Sequence, residues 1–286
     1  MELLVNLTVN GLATGMLIFL LAAGLTLIFG LMSVLNFAHG GLFAWGAYGG
    51  VAVYAATGSF FLGIIGGIVT GLLLGLITEK LIIKPVYGDH IQQILITLGF
   101  MLVLSELLKV FWGPNQIAVS PPEMLRGSWE IGNVLIIKYR AFLIAMGLLV
   151  FFLIRYIMKN TKIGLIVRAG VINKEMIQAL GVNINRVFLF VFMFGSALAG
   201  LSGILLAPYA GVIHADMGME YAILAFIVVV IGGMGNIKGS IFAAILVGLT
   251  GSFMAYFVPD IALAANMILM VIVLVFRPQG LFTLKG

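Results

Sequence analysis

Few side chains in this sequence are equipped for chemistry, and their spacing argues against most of what they could do. The three histidines, His39, His90 and His214, fall in separate segments with no His-Glu-x-x-His or comparable metal-binding spacing. There is no cysteine, which removes disulfides, thiolate nucleophiles and Cys-based metal sites. The run GNIKGS does not meet the G-x-x-x-x-G-K-S/T spacing of a phosphate loop. Catalysis, a resident cofactor and a metal are therefore not expected, and any ATP would be handled by another polypeptide.

Two Gly-rich interruptions stand out instead. In LMSVLNFAHGGLFAWGAYGG, residues 31 to 50, Asn36, Phe37, His39 and Gly40 sit where hydropathy asks for continuous helix. A second interruption, Gly232-Gly233-Met234-Gly235-Asn236-Ile237-Lys238-Gly239, lies in the other half of the chain. Irregular backbone at membrane depth survives only where protein buries it or it lines a watery cavity, so broken helices mark passages in transporters. Interruptions in both halves suggest an internal repeat. His39 has two readings, a hydrogen bond to freed backbone or direct work on a substrate or gate.

The elements that must hold these residues follow from composition. Apolar residues make up 63% of the 286 and charged residues only 9%, against roughly 25% charged in soluble domains, so the surroundings are lipid. Residues 3 to 78 contain no Asp, Glu, Lys or Arg, a run of 76 with His39 as its single histidine. At about 20 residues per span, the fold class is an all-α polytopic membrane protein of 8–10 transmembrane helices. Nine spans are placed near Asn10–Gly30, Val34–Ala56, Phe60–Ile83, Ile91–Trp112, Ala141–Met158, Val187–Pro208, Tyr221–Met234, Ser240–Val258 and Ile261–Phe276. Gly63, Gly67, Gly71 and Gly75 recur every fourth residue, and Gly11 with Gly15 and Gly195 with Ala199 and Gly203 do likewise. Such stripes let backbones approach closely. Glu106 and Lys109, three apart, can neutralise each other. His214, Asp216 and Glu220 read as an exposed loop.

Charge sets the expected orientation. Six of the fifteen basic residues lie between Arg155 and Arg186, with Glu175 the single acid there, which puts this segment in the cytoplasm. Counting spans then brings Lys80, Lys84, Lys238, Arg277 and Lys285 to the same side, so the C-terminus is expected inside. A net charge of +5 is explained by orientation better than by nucleic acid. Within this segment Asn173 can cap a short helix, Lys174 to Leu180, that Gly181 ends. Met176, Ile177 and Leu180 are expected on one side of it. That helix suits a groove on a soluble protein or a seat on lipid headgroups.

Four blocks carry a resemblance to a known family: LMSVLNFAHGGLFAWGAY at 31 to 48, RAGVINKEMIQALGVNINR running into FGSALAGLSGILLAP at 168 to 208, VVIGGMGNIKGS at 229 to 240, and FRPQGLF at 276 to 282. Their order and spacing over nearly the whole chain resemble the permease subunits of branched-chain amino acid ABC importers. The NFAHG block looks like the form carried by the first of the two permeases. The resemblance implies one permease domain, residues 1 to 286, in the cytoplasmic membrane of a prokaryote. It also implies a second related permease, two cytoplasmic ATP-binding subunits and an extracytoplasmic substrate-binding protein as partners. Arg168, Ala169, Asn173, Glu175 and Gly181, within a coupling segment at 159 to 186, match the region assigned to ATPase contact. Asn36, Phe37, His39 and Gly40 match the block beside the translocation passage, with Gly232, Gly233 and Gly235 in the second break. Met176 and Ile177 stand where small alanines are common, and Lys238 where proline is common. The implied cargo is leucine, isoleucine or valine. Rival readings are a permease of the same family for urea or short amides, or an ion-coupled carrier or channel.

Overall fold

The computed structural model describes residues 2–132 and 134–282, so Lys285 lies outside the described residues. The chain is an all-α polytopic membrane protein. Its helices are α1 (Glu2–Met32), α2 (His39–Thr57), α3 (Phe60–Ile77), α4 (His90–Trp112), α5 (Lys138–Asn160), α6 (Lys162–Ile172), α7 (Lys174–Ala179), α8 (Ile184–Ala210), α9 (Met217–Gly232), α10 (Ile237–Phe257) and α11 (Ala262–Phe276). Each of the nine predicted segments falls on a helix. Among the described residues six helices, α1, α3 with its extension to Val86, α4, α5, α8 and α10, are long and apolar enough to cross a membrane. The apolar helices α9 and α11 are shorter.

The second predicted span needs correction at its start. Residues 33 to 36 are not helical, and α2 begins at His39 rather than Val34. Its first residue is bonded to the Leu21 carbonyl, so α2 starts level with the middle of α1. The break segment thus climbs back between helices, a course possible at that depth only because protein encloses it.

The glycine stripes explain how the helices close around it. On α3, Gly63, Gly67, Gly71 and Gly75 are all buried. A Cβ on Gly71 would strike the Ser196 carbonyl of α8, and one on Gly67 the backbone of both α2 and α8. Gly11 and Gly15 abut α10 in the same manner, and Gly195 abuts Gly24. The stripes are therefore seams within one chain. In lipid, where apolar side chains gain nothing by leaving the solvent, such close packing is what holds helices together.

Short strands decorate the end opposite the α1–α2 break. Strand β1 (Ile117–Ala118) pairs antiparallel with β4 (Val212–Ile213), and β2 (Ser128–Ile131) with β3 (Val134–Ile137) as a hairpin. The 113 to 140 excursion is thereby tied to the α8–α9 loop. Lys109 bridges Glu106 at 2.9 Å and Asp216 at 3.0 Å, so the expected Glu106–Lys109 pair is a triad and the start of α9 is pinned to α4; of the expected 214 to 220 loop, Glu220 lies instead in the first turn of α9.

Candidate functional site: the broken helix and its surroundings

The first break is built by three local features. The Ser33 N–H closes α1 on the Phe29 carbonyl at 2.8 Å, and Ser33 then takes φ +56°. That left-handed conformation is strained for a residue with a Cβ and reverses the chain. The segment next passes α4, where the Phe37 N–H donates to Thr97 Oγ1 at 3.3 Å. Thr97 is itself fixed, its hydroxyl donating to the Gln93 carbonyl at 2.6 Å, while Gln93 Nε2 donates to the Val86 carbonyl at 3.0 Å. Gly40 finally lets the start of α2 press on the backbone of Gly218 at the start of α9.

This course buries polar side chains without satisfying them. Asn36 is 3% exposed and His39 2%. His39 Nε2 lies 3.1 Å from the Leu21 carbonyl; a carbonyl only accepts, so Nε2 carries the proton and donates. The Nδ1 lone pair has no partner, and neither Oδ1 nor Nδ2 of Asn36 has one. Among the described residues, three of the six orphaned buried side-chain atoms therefore belong to this one break. Leaving such groups unpaired costs about 1–3 kcal/mol each, so the break holds an unfilled capacity to donate and accept hydrogen bonds. One nitrogen of His39 thus braces α1 through a mid-helix carbonyl rather than freed backbone, and the other has no partner.

Two cavities adjoin the break. The narrow one, about 20 Å³, has room on the order of a single water; Leu25, Asn36, Phe37, His39, Ala222 and Phe226 line it. The wide one, about 500 Å³, is walled by Phe29, Leu35, His90, Phe226, Val230 and Met234 with Met270 and Leu274. Leu35 and Phe226 border both. The Phe37 and Phe226 rings stack at 5.8 Å with 30° between planes.

The second break packs against the end of α1 just before the first, since a Cβ on Gly30 would meet the Gly235 backbone. Gly233 and Gly235 take φ +93° and +84°, which favours glycine. Asn236 caps α10 by accepting from the Gly239 N–H at 3.1 Å. Gly232 packs directly on Gly239, which closes the turn tightly despite Lys238. The FRPQGLF motif then docks on this turn. The Leu281 N–H donates to the Ile231 carbonyl at 2.8 Å, Asn236 Nδ2 donates to the Phe282 carbonyl at 3.1 Å, and the Phe282 ring stacks on Phe242 at 5.2 Å. Two motifs remote in sequence thus form one strapped turn.

The segment at 159 to 186 contains the predicted helix and an unforeseen one. Thr161 caps α6 by accepting from the Gly164 N–H at 3.1 Å, and Gly170 seats α6 on Leu31 at the end of α1. Asn173 caps α7 by accepting from the Met176 N–H at 2.9 Å, and Gly181, at φ +83°, ends it. Arg168, Asn173, Glu175 and Gly181 are exposed and Ala169 is half-buried. The expected apolar cluster is split: Ile177 is 4% exposed, whereas Met176 is 53% and Leu180 78% exposed. In a helix this short, Ile177 anchors against the protein and the other two face away.

Sequence reading missed Thr97, Phe226 and Glu79. Glu79 is a carboxylate inside the third predicted span, 2% exposed, on a π-helical turn at Thr78–Ile83. The Tyr87 hydroxyl donates to its Oε1 at 2.6 Å, and the Tyr87 ring meets Phe188 of α8 edge-on at 5.6 Å. Burial first, and then the Glu79 carboxylate, hold the Tyr87 phenol well above its ordinary pKa, which keeps it a donor. A carboxylate in the TEK triplet at the end of an apolar run was the available signal.

Known proteins resemble this chain over almost its full length. It is 27% identical to the high-affinity branched-chain amino acid transport system permease protein LivH of Escherichia coli K12, covering 95% of this chain and 93% of that one. Identity to the permease protein BraD of Pseudomonas aeruginosa is 28%, covering 96% and 94%. The permease protein LivM of Escherichia coli K12 is 29% identical, covering 93% of this chain and 68% of that protein. Among solved structures, PsaBC from Streptococcus pneumoniae in complex with Fab has a like fold, with a TM-score of 0.51 at 16% identity over 92% of this chain and 87% of that one. With residues 7–277 matching the family model, the chain belongs to the branched-chain amino acid transport system permease component family.

Proposed function

We propose that this chain is a permease subunit of an ABC importer that moves leucine, isoleucine and valine across the cytoplasmic membrane of a prokaryote. The observation that carries the reading is the buried, unpaired set of polar atoms on Asn36 and His39 beside a narrow apolar cavity. A branched-chain amino acid is a zwitterion with an aliphatic side chain. Neutral amide and imidazole groups can meet its charged ends weakly and release them, while Leu25, Phe37 and Phe226 accept the aliphatic part. Weak contact suits a passage, and strong selection would then reside in an external binding protein.

ATP binding and hydrolysis on two partner subunits would drive the passage through α6 and α7. That assignment is supported by the basic residues from 155 to 186 and by the exposed Arg168, Asn173 and Glu175. It places the break end and the C-terminus in the cytoplasm, in line with the contacts that join Leu31 to α6 and Leu281 to α9. A second, related permease as partner is supported by relatives carrying both LivH and LivM names.

Reconstitution tests this reading. Proteoliposomes holding the chain with its partner subunits and binding protein should take up leucine only with ATP inside. Leucine passage without any ATPase subunit would overturn the importer reading, and uptake of urea or short amides in place of leucine would overturn the cargo.

A further inference from the structure

We infer that Phe37 and Phe226 form an aromatic gate between the two cavities, and that Thr97 is the positioning residue that holds it shut. The inference rests on the passage reading for its purpose, but not for its geometry.

The cavities are consecutive stations of one groove. Leu25 lines the narrow cavity and Phe29 the wide one, one turn on along α1; Ala222 and Phe226 line the first, and Phe226 and Val230 the second, along α9. One helical turn advances about 5.4 Å, so both walls step in the same direction by the same amount. The joint between the stations is occupied by the stacked rings of Phe37 and Phe226. Volume drops there from about 500 Å³ to about 20 Å³, which stops an amino acid.

The two halves of the stack are mounted differently. Phe226 is inside the regular helix α9. Phe37 sits in the turn that follows the four non-helical residues 33 to 36, before α2 begins. Its N–H is held by one hydroxyl, that of Thr97 on α4. Movement of α4 relative to α9 would therefore draw Phe37 off Phe226 while leaving the helices intact. The unpaired atoms of Asn36 and His39 lie just beyond the stack, so opening would expose them to whatever waits in the wide cavity.

The cysteine-free chain permits a direct test. Ala222→Cys places a thiol in the narrow cavity, and its reaction with a water-soluble thiol reagent is timed in the whole transporter, with cysteine-free partners, in nanodiscs without nucleotide. With both rings present, reaction should be slow. Phe226→Ala or Phe37→Ala should speed it about tenfold, the factor for about 1.4 kcal/mol of lost ring contact, whereas Phe226→Tyr should leave it slow. Thr97→Val should speed it about threefold, a smaller factor because ring contact remains, and Thr97→Ser should restore the slow rate. Phe190→Ala, which removes a ring from a stack elsewhere, should change nothing.

Unchanged rates on removing either ring would overturn the gate, as would an equal rise with Phe190→Ala. Should one ring variant fail to assemble, the other supplies the measurement, and Leu25→Cys provides a second thiol position. The reaction needs no cargo, so a failure of leucine uptake leaves this result readable, and a failed gate leaves the uptake result intact.

Discussion

Asn10 and Asn36 are the same residue type set at opposite ends of α1, and their surroundings could hardly differ more. Both polar atoms of the Asn10 amide have partners: Nδ2 donates to Ser252 Oγ at 3.2 Å, and Oδ1 accepts from the Tyr209 hydroxyl at 2.6 Å. The Ser252 hydroxyl in turn donates a hydrogen bond to the Leu7 carbonyl at 2.8 Å. This network ties α1 to α8 and α10 at the end where glycine seams also lock those helices. Asn36 is more deeply buried and has no partner at either atom. A satisfied buried amide braces a fold, whereas an unsatisfied one is tolerated where it serves another purpose. One end of α1 is thus a fixed frame, and the other, receptive on the proposed reading, carries unfilled hydrogen-bonding capacity.

The largest expected effect comes from breaking the frame. Gly71→Leu would drive a side chain into the Ser196 carbonyl; no folded complex should be recovered in size-exclusion chromatography after solubilisation. Next in size is the receptive end. Asn36→Ala removes no hydrogen bond, so assembly and thermal stability should be retained while ATP-dependent leucine uptake falls tenfold or more, by about 1.4 kcal/mol of lost contact. His39→Ala should lower uptake likewise but also lower the melting temperature, because the hydrogen bond that ties the start of α2 to the Leu21 carbonyl of α1 is lost.

Asn10→Ala should do the reverse of Asn36→Ala. Stability should drop by about 1–3 kcal/mol in thermal melts of the purified complex, with uptake per folded transporter changed less than about twofold. If Asn10→Ala and Asn36→Ala gave the same pattern, the contrast between frame and receptive end would be lost. The last pair of variants lies in the proposed coupling segment. Glu175→Lys touches an exposed position and should cost at most about 0.5 kcal/mol of stability, and Gly181→Leu, at φ +83°, about 1–2 kcal/mol, yet both should uncouple ATP hydrolysis from uptake or weaken ATPase binding in a pull-down.

Much of this was legible in the sequence, for reasons specific to each residue. Hydropathy located every apolar helix because lipid imposes a length of about 20 residues on each span. The Asn173 cap and the Gly181 stop were readable because a helix end is set by groups within a few residues. Asn36 and His39 stood out because polar side chains in apolar runs have few harmless positions. Thr97 gave no comparable signal, since a threonine in a helix can satisfy its hydroxyl locally, as Thr97 does on the Gln93 carbonyl. Its second role, holding Phe37, depends on a segment 60 residues away. Phe226 was one phenylalanine among 21, and only its neighbour in space sets it apart.

By itself, then, the sequence determined the solvent, the all-α class, the positions of the apolar segments and of both breaks, and the ends of α7, all of which are governed by local composition and backbone chemistry. The tertiary structure alone decided that the glycine stripes close within one chain, that the second break packs on the end of α1, that the C-terminal motif straps the second break, and that the Asn36 side chain is left without a partner. Those outcomes turn on which distant segments share a space, and no local property of an apolar chain encodes that directly.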